Sequence, residues 1–200
     1  MLGAERLLLL APGAGAPSSS AWMQAQKRRL ETLGRVVTFD YPYQREGRKS
    51  PDRAPVLLAA HEEALRAASL DGDGPRVLVG KSMGGRMGCH LAVKLEEKPA
   101  ALVCLGYPLV GQRGDVRDAV LLELTTPVLF VQGTRDKLCP LDRLATLRPR
   151  MRAPNELFVV EGGDHSLVVG KRDLAARGGS QVAEDDAVTR AIAAFLAKYA

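Results

Sequence analysis

An alternation that runs through the whole chain restricts the fold more than any other feature. Short runs rich in Val and Leu stand at residues 7–11, 36–39, 76–79, 101–106, 128–132 and 157–160. They lack the every-second-residue polarity of a half-exposed strand, so each reads as a strand covered on both faces. Between them, apolar residues recur at helical spacing: Met23, Leu30 and Leu33; Leu57, Ala60, Ala64 and Ala68; Met87, Leu91 and Leu95; Val188, Ile192, Phe195 and Tyr199. Six strands interleaved with helices predict a parallel, doubly wound α/β sheet, and right-handed crossovers place helices on both of its faces. In such a sheet the ligand site lies at the carboxyl ends of the strands, so the loops that follow Ala11, Phe39, Val79, Gly106, Gln132 and Val160 hold the chemistry.

The chain has 200 residues, which predicts one domain over 1–200. Its longest irregular stretches, 107–121 and 166–184, are too short for a folded lid. Hydrophobic residues at 46% and charged residues at 26% fit an ordinary globular protein. Aromatics at 4% disfavour a sugar-binding or base-stacking surface. The apolar run at 7–11 is far short of the roughly 18 residues that suggest a membrane span. Glu5 before it and Pro12-Gly13 after it break the pattern of a signal peptide. Cys89, Cys104 and Cys139 are odd in number and widely spaced, with no CxxC pair. They read as reduced thiols, with no metal set, in a cytoplasmic protein.

After the third apolar run comes Gly80-Lys81-Ser82-Met83-Gly84-Gly85, a G-x-S-x-G sequence between a strand and an amphipathic helix. A serine at that turn is lifted to the sheet edge, and glycines flank it because a Cβ would crowd the tight backbone. Gly80-Lys81-Ser82 also matches the end of a phosphate-binding loop. That motif needs glycine five residues earlier, where Pro75 stands, and so it fails.

A serine hydroxyl needs a base. His61 falls within a helix and His90 two turns beyond Ser82. His165 follows the last strand in a glycine-rich loop and is the expected base. The base in turn needs a carboxylate, and Asp136, just after the fifth strand, is preferred. Asp164 is too close in sequence to grip the ring, while Asp115 and Asp118 remain as alternatives. The order Ser82, Asp136, His165 matches the nucleophile–acid–base order of α/β-hydrolases. For a developing oxyanion the expected donors are the Met83 N–H and, from the loop at 12–16, the Ala14 N–H, with Gly15 second.

Taken together, Gly80-Lys81-Ser82-Met83-Gly84-Gly85-Arg86, Gly133-Thr134-Arg135-Asp136 and Gly163-Asp164-His165-Ser166 resemble the small, lidless α/β-hydrolases. More narrowly, the chain is similar to the family that groups dienelactone-hydrolase-like proteins, a testis-expressed hydrolase-like protein and a subunit of the NSL histone-acetyltransferase complex. Tyr41-Pro42-Tyr43 and Gly106-Tyr107-Pro108-Leu109 fit the same family. The resemblance implies the α/β-hydrolase fold with a minimal six-stranded sheet. It also implies Ser82, Asp136 and His165 as a triad, Met83 as an oxyanion donor, and no metal or organic cofactor.

Two departures stand out. Pro12-Gly13 replaces the usual His-Gly, and Ser82 stands where dienelactone hydrolases carry cysteine. An ester or thioester substrate is therefore expected rather than a dienelactone. Because the family includes interaction subunits, a catalytically silent scaffold is the second expectation.

Lys and Arg number 28 against 23 Asp and Glu, a net charge of +5. The excess gathers in two segments. Arg45, Arg48, Lys49 and Arg53 lie beside Tyr41 and Tyr43, and Lys171, Arg172 and Arg177 follow His165. A solvated surface is the plain reading, and attraction for an ester bearing a carboxylate or phosphate the sharper one. Gly15, Tyr41, Tyr43 and Arg45 are accordingly expected to bind substrate. The missing phosphate-loop glycine and the sparse aromatics weaken a nucleic-acid partner, and no membrane partner is expected.

Overall fold

The computed structural model describes residues 5–70, 74–111 and 114–200. Six strands, β1 (Leu7–Ala11), β2 (Arg35–Thr38), β3 (Arg76–Lys81), β4 (Ala101–Leu105), β5 (Val128–Gly133) and β6 (Asn155–Val160), form one sheet. Their order is β2-β1-β3-β4-β5-β6, and every pairing is parallel. The helices are α1 (Ala21–Leu30), α2 (Pro42–Arg45), α3 (Ala54–Ala68), α4 (Met83–Lys94), α5 (Ala119–Glu123), α6 (Leu141–Leu147), α7 (Lys171–Ala176) and α8 (Gln181–Tyr199).

Alternate residues of each buried strand serve opposite faces of the sheet. Leu8 and Leu10 of β1, with Val77 and Val79 of β3, pack beneath Met23 of α1 and Phe195 of α8. Leu7, Leu9 and Leu78 point the other way, into a layer made by α3, α4, α5 and α6. Leu7 through Ala11 are all fully buried, which explains why β1 shows no polar alternation. β2 and β6 depart from the expectation of two covered faces. They are the edge strands: on β2 only Val36 is buried, and on β6 only Val160, with Val159 39% exposed.

Two boundaries differ from the sequence reading for a physical reason. β3 continues past its apolar run, because the ladder pairs Gly80 with Cys104 and Lys81 with Leu105. A ladder ends where the main chain turns, not where side-chain polarity changes. The stretch 166–184, expected to be irregular, contains α7 and the start of α8. Leu174 is the sole buried residue of α7, so that helix has no apolar periodicity to announce it.

Candidate active site

The β3–α4 turn holds Ser82 at φ 49° and ψ −112°, a backbone conformation unfavourable to side chains larger than glycine. The turn is held from both sides. The Ser82 N–H donates to the Leu105 carbonyl at 3.0 Å, and α4 departs immediately afterwards. A Cβ on Gly84 would lie 2.6 Å from the carbonyl oxygens of both Ala11 and Pro12, so α4 can start this close to β1 only with glycine there. The residue type that the motif demands is thus explained by main chain approaching main chain.

His165 Nε2 lies 2.8 Å from Ser82 Oγ, and His165 Nδ1 lies 2.8 Å from Asp136 Oδ2. A carboxylate only accepts, so the ring proton sits on Nδ1 and the Nε2 lone pair faces the serine hydroxyl. The Asp136 side chain is 0% exposed, and its second oxygen accepts the Leu138 N–H at 2.9 Å. Three strand ends meet here, those of β3, β5 and β6. The last two can approach because Gly133 has no side chain: a Cβ there would sit 2.1 Å from the Gly163 carbonyl oxygen.

The loop carrying His165 is braced from within and without. Asp164 Oδ1 accepts the N–H groups of Ser166 at 2.7 Å and Val168 at 3.0 Å, and Leu167 adopts φ 62°. Three successive carbonyls are then held by side chains from elsewhere. Lys81 Nζ donates to His165, Trp22 Nε1 to Ser166 at 2.9 Å, and Gln181 Nε2 to Leu167 at 3.1 Å. Burial pushes the Lys81 amine down to about 8, with Asp136 and Asp164 opposing that shift.

The loop at 12–16 is gripped by α2. Gln44 Nε2 donates to the Gly13 carbonyl at 3.0 Å and to Ala16 at 2.9 Å, and the Tyr43 hydroxyl donates to the Ala14 carbonyl at 3.0 Å. In a trans peptide the C=O and the following N–H point in opposite directions. The carbonyls of Gly13 and Ala14 face α2, so the N–H groups of Ala14 and Gly15 face away from it. A Cβ on Gly13 would lie 3.7 Å from Ser82 Cβ, which places this loop directly over the serine. At α4, the first N–H groups, Met83 included, have no partner within the helix.

A cavity of about 630 Å³ opens over Ser82 and His165, within the range of small-molecule sites. Gly13 to Ala16 form one wall, and Trp22, Met23, Pro51 and Leu138 supply apolar surface. The described lining carries two amines, Lys49 and Lys81, and no carboxylate. Among the described residues no further domain covers this edge, and no group of His, Cys, Asp or Glu is arranged to hold a metal ion. No helix among them is long and apolar enough to cross a membrane.

Ser82, His165, Asp136, Met83, Ala14 and Gly15 are therefore brought together. Tyr41, Tyr43 and Arg45, expected to bind substrate, do not line the cavity over Ser82. Tyr41 is fully buried with its hydroxyl 3.1 Å from His61 Nδ1, and Tyr43 is 1% exposed and spent on Ala14. Arg45 lines a separate depression beside Pro55 and Val56. Tyr43 supports the loop at 12–16 from behind, while Tyr41 packs against Phe39 and His61.

The alternatives to the acid and the base lie elsewhere. Asp115 pairs with Arg117 at 3.2 Å, Asp118 precedes α5, and His61, on α3, is fully buried against α4. Two residues of the basic segments form ion pairs with nearby carboxylates. Arg48 pairs with Glu46 and Asp52, and Arg177 with Glu184. Lys49, from the first basic segment, does line the cavity, whereas nothing in the local sequence of Trp22, Met23, Pro51 and Leu138 marks them as converging there.

The alpha/beta hydrolase domain family matches residues 4–197 of the chain. Lipase LipV of Mycobacterium tuberculosis is 42% identical over 81 residues, 40% of this chain but only 31% of the lipase. Est1E of Butyrivibrio proteoclasticus, solved with ferulic acid bound, superposes with a TM-score of 0.70 at 17% identity, covering 98% of this chain and 90% of that one. A dienelactone hydrolase of Anabaena variabilis gives a TM-score of 0.73 at 17% identity, covering 99% of this chain and 88% of that one. At these identities the likeness to solved structures shows the fold.

Proposed function

The chain belongs to the alpha/beta hydrolase domain family, and from that premise we propose that it is a serine hydrolase cleaving small carboxylic esters or thioesters, with residues 1–200 acting as a single domain. The observation that carries the reading is the continuous relay Ser82–His165–Asp136, with both contacts at 2.8 Å. A lipase and a dienelactone hydrolase among the similar proteins support carboxylic-ester chemistry.

In this reading His165 Nε2 takes the Ser82 proton as Oγ attacks the acyl carbon, and Asp136 stabilises the imidazolium that forms. The N–H groups of Met83 and Ala14 receive the charge developing on the carbonyl oxygen, with Gly15 beside them. His165 then gives its proton to the departing alcohol or thiol, leaving an acyl-Ser82. Water, deprotonated by the same ring, attacks this acyl-enzyme, releases the acid and restores the serine. Each step needs only protein groups and water.

The open cavity of about 630 Å³, part apolar and part cationic, favours compact acyl or aryl groups over long lipid chains. The narrower kinship with the testis-expressed and NSL-complex proteins is part of the same proposal, as is a cytoplasmic setting. A fluorophosphonate probe followed by intact-mass measurement tests the reading. One adduct is expected on the wild type, none on Ser82→Ala, and strongly slowed labelling on His165→Ala. No adduct on folded wild type would refute it and turn attention to the silent-scaffold alternative.

A further inference from the structure

Among the lysines and arginines of the described residues, Lys81 alone is buried, at 8% exposure. It is the last residue of β3, immediately before Ser82, yet its amine reaches the loop that carries the base and donates to the His165 carbonyl. The pocket around the amine is tight. The Trp22 ring lies 5.6 Å from Nζ, and a Cβ on Gly106 would come within 3.2 Å of it. Gly106 takes φ +68° where the chain leaves β4, so the space for the amine is built into the backbone.

Of the three side chains that hold successive carbonyls of the base loop, the donors of Trp22 and Gln181 are neutral. Lys81 is the only one able to carry charge. Asp136, from the loop after β5, and Asp164, from the loop after β6, are the charged groups that face it; α1 offers only the Trp22 ring, and β4 only Gly106. A cation here touches neither substrate nor reacting atoms, but it bears on the residue that takes the proton.

We propose that Lys81 is a positioning residue for His165: its ammonium ties the base's own peptide carbonyl to the strand that presents Ser82. This inference rests on the triad reading above. An amine that titrates near pH 8 in the fold is charged below that value and neutral above it. The charge-assisted tie weakens as pH rises through 8, which gives kcat/KM an alkaline limb that a bare triad lacks.

The test is the pH dependence of kcat/KM for 4-nitrophenyl acetate from about pH 5.5 to 9.5, in wild type, Lys81→Arg and Lys81→Met, joined to an NMR titration of the His165 imidazole identified by its absence in His165→Ala. Wild type is expected to fall on the alkaline side near pH 8. Lys81→Arg, which keeps its charge throughout this range, should lose that fall. Lys81→Met should be about 10- to 100-fold slower near neutrality, with the base less well placed. Its acid limb and its His165 titration should both move to higher pH, while Lys81→Arg leaves that titration where it is. A lysine acting only as packing would lower the rate of Lys81→Met uniformly, with the profile and the titration unmoved, and that result overturns the proposal. So does an alkaline fall near pH 8 that persists in Lys81→Arg, a readout that stands even where Lys81→Met fails to fold. The titration does not depend on turnover, so an unreactive wild-type Ser82 would sink the hydrolase reading while the role of Lys81 is still decided.

Discussion

Replacing Tyr43 with phenylalanine removes one oxygen atom from beneath the loop that faces Ser82. That hydroxyl donates to the Ala14 carbonyl at 3.0 Å and so fixes the plane of the Ala14–Gly15 peptide. Ala14 is half-buried, so water can partly take over its carbonyl, and the loss is close to the net value of one hydrogen bond, about 1 kcal/mol. Gln44 still holds Gly13 and Ala16, so the loop loosens without being released. If the whole of that 1 kcal/mol is felt where the oxyanion forms, kcat falls about fivefold. The ceiling is the roughly 100- to 1000-fold seen when an oxyanion donor is lost outright. An interaction realised only in the transition state lowers kcat and kcat/KM together, so KM should hold steady. Steady-state kinetics on 4-nitrophenyl acetate, with a melting curve on the same preparation, read out both effects. A Tm lowered by about 2–4 °C with kcat at the wild-type value would refute the reasoning, since the hydroxyl would then stabilise the fold without shaping the site.

Asp136→Asn should keep the fold but hold the ring in the wrong tautomer, slowing fluorophosphonate labelling by about 10⁴-fold in a timed intact-mass assay. Gly84→Ala forces a methyl to within 2.6 Å of two carbonyl oxygens, and overpacking of this kind costs about 1–3 kcal/mol, measurable as a lower urea midpoint. His61 is fully buried and its imidazole is pushed down to about 3 by desolvation. The unfolded chain therefore binds a proton there below about pH 6.5 that the folded one refuses. Stability should fall with decreasing pH between those values by up to about 1.4 kcal/mol per unit, a slope that urea titrations at pH 7, 6 and 5 would show and His61→Gln would flatten. Cys89, Cys104 and Cys139 are free and buried, so Ellman's reagent should find all three thiols in denaturant and almost none in the native protein.

The strands were legible because Val and Leu runs buried on both faces leave a plain trace, and the four inner strands behave that way. β2 and β6 share that composition while lying at the sheet's two edges. Ser82, Asp136 and His165 were legible for a different reason. Parallel topology sends every loop of interest to one side of the sheet, so position after a strand carries spatial information that sequence distance does not. Residues that act from behind the site left no such trace. Tyr43 and Gln44 grip a loop about 30 positions away, and Lys81 reaches a carbonyl 84 positions on. Nothing local says which way those side chains turn. One clue was available for α2: Pro42 opens it, and Gln44 reaches back to the Tyr41 N–H at 3.1 Å, a short capped turn that sequence alone could have suggested.

Ser82 hangs from β3, near the middle of the sheet, while His165 hangs from β6, which is paired on one side only. Edges fray before centres, because a strand with one neighbour has fewer bonds to break. A molecule whose margin has opened still keeps its core and its serine, but Ser82 has lost its contact with His165, on which the proposed mechanism depends. Chemical competence and overall folding are thereby separable. Warmed gradually, a population of such molecules would go silent towards a fluorophosphonate before its helices melt, and Ser82 would serve as a gauge of whether the sheet's margin is closed.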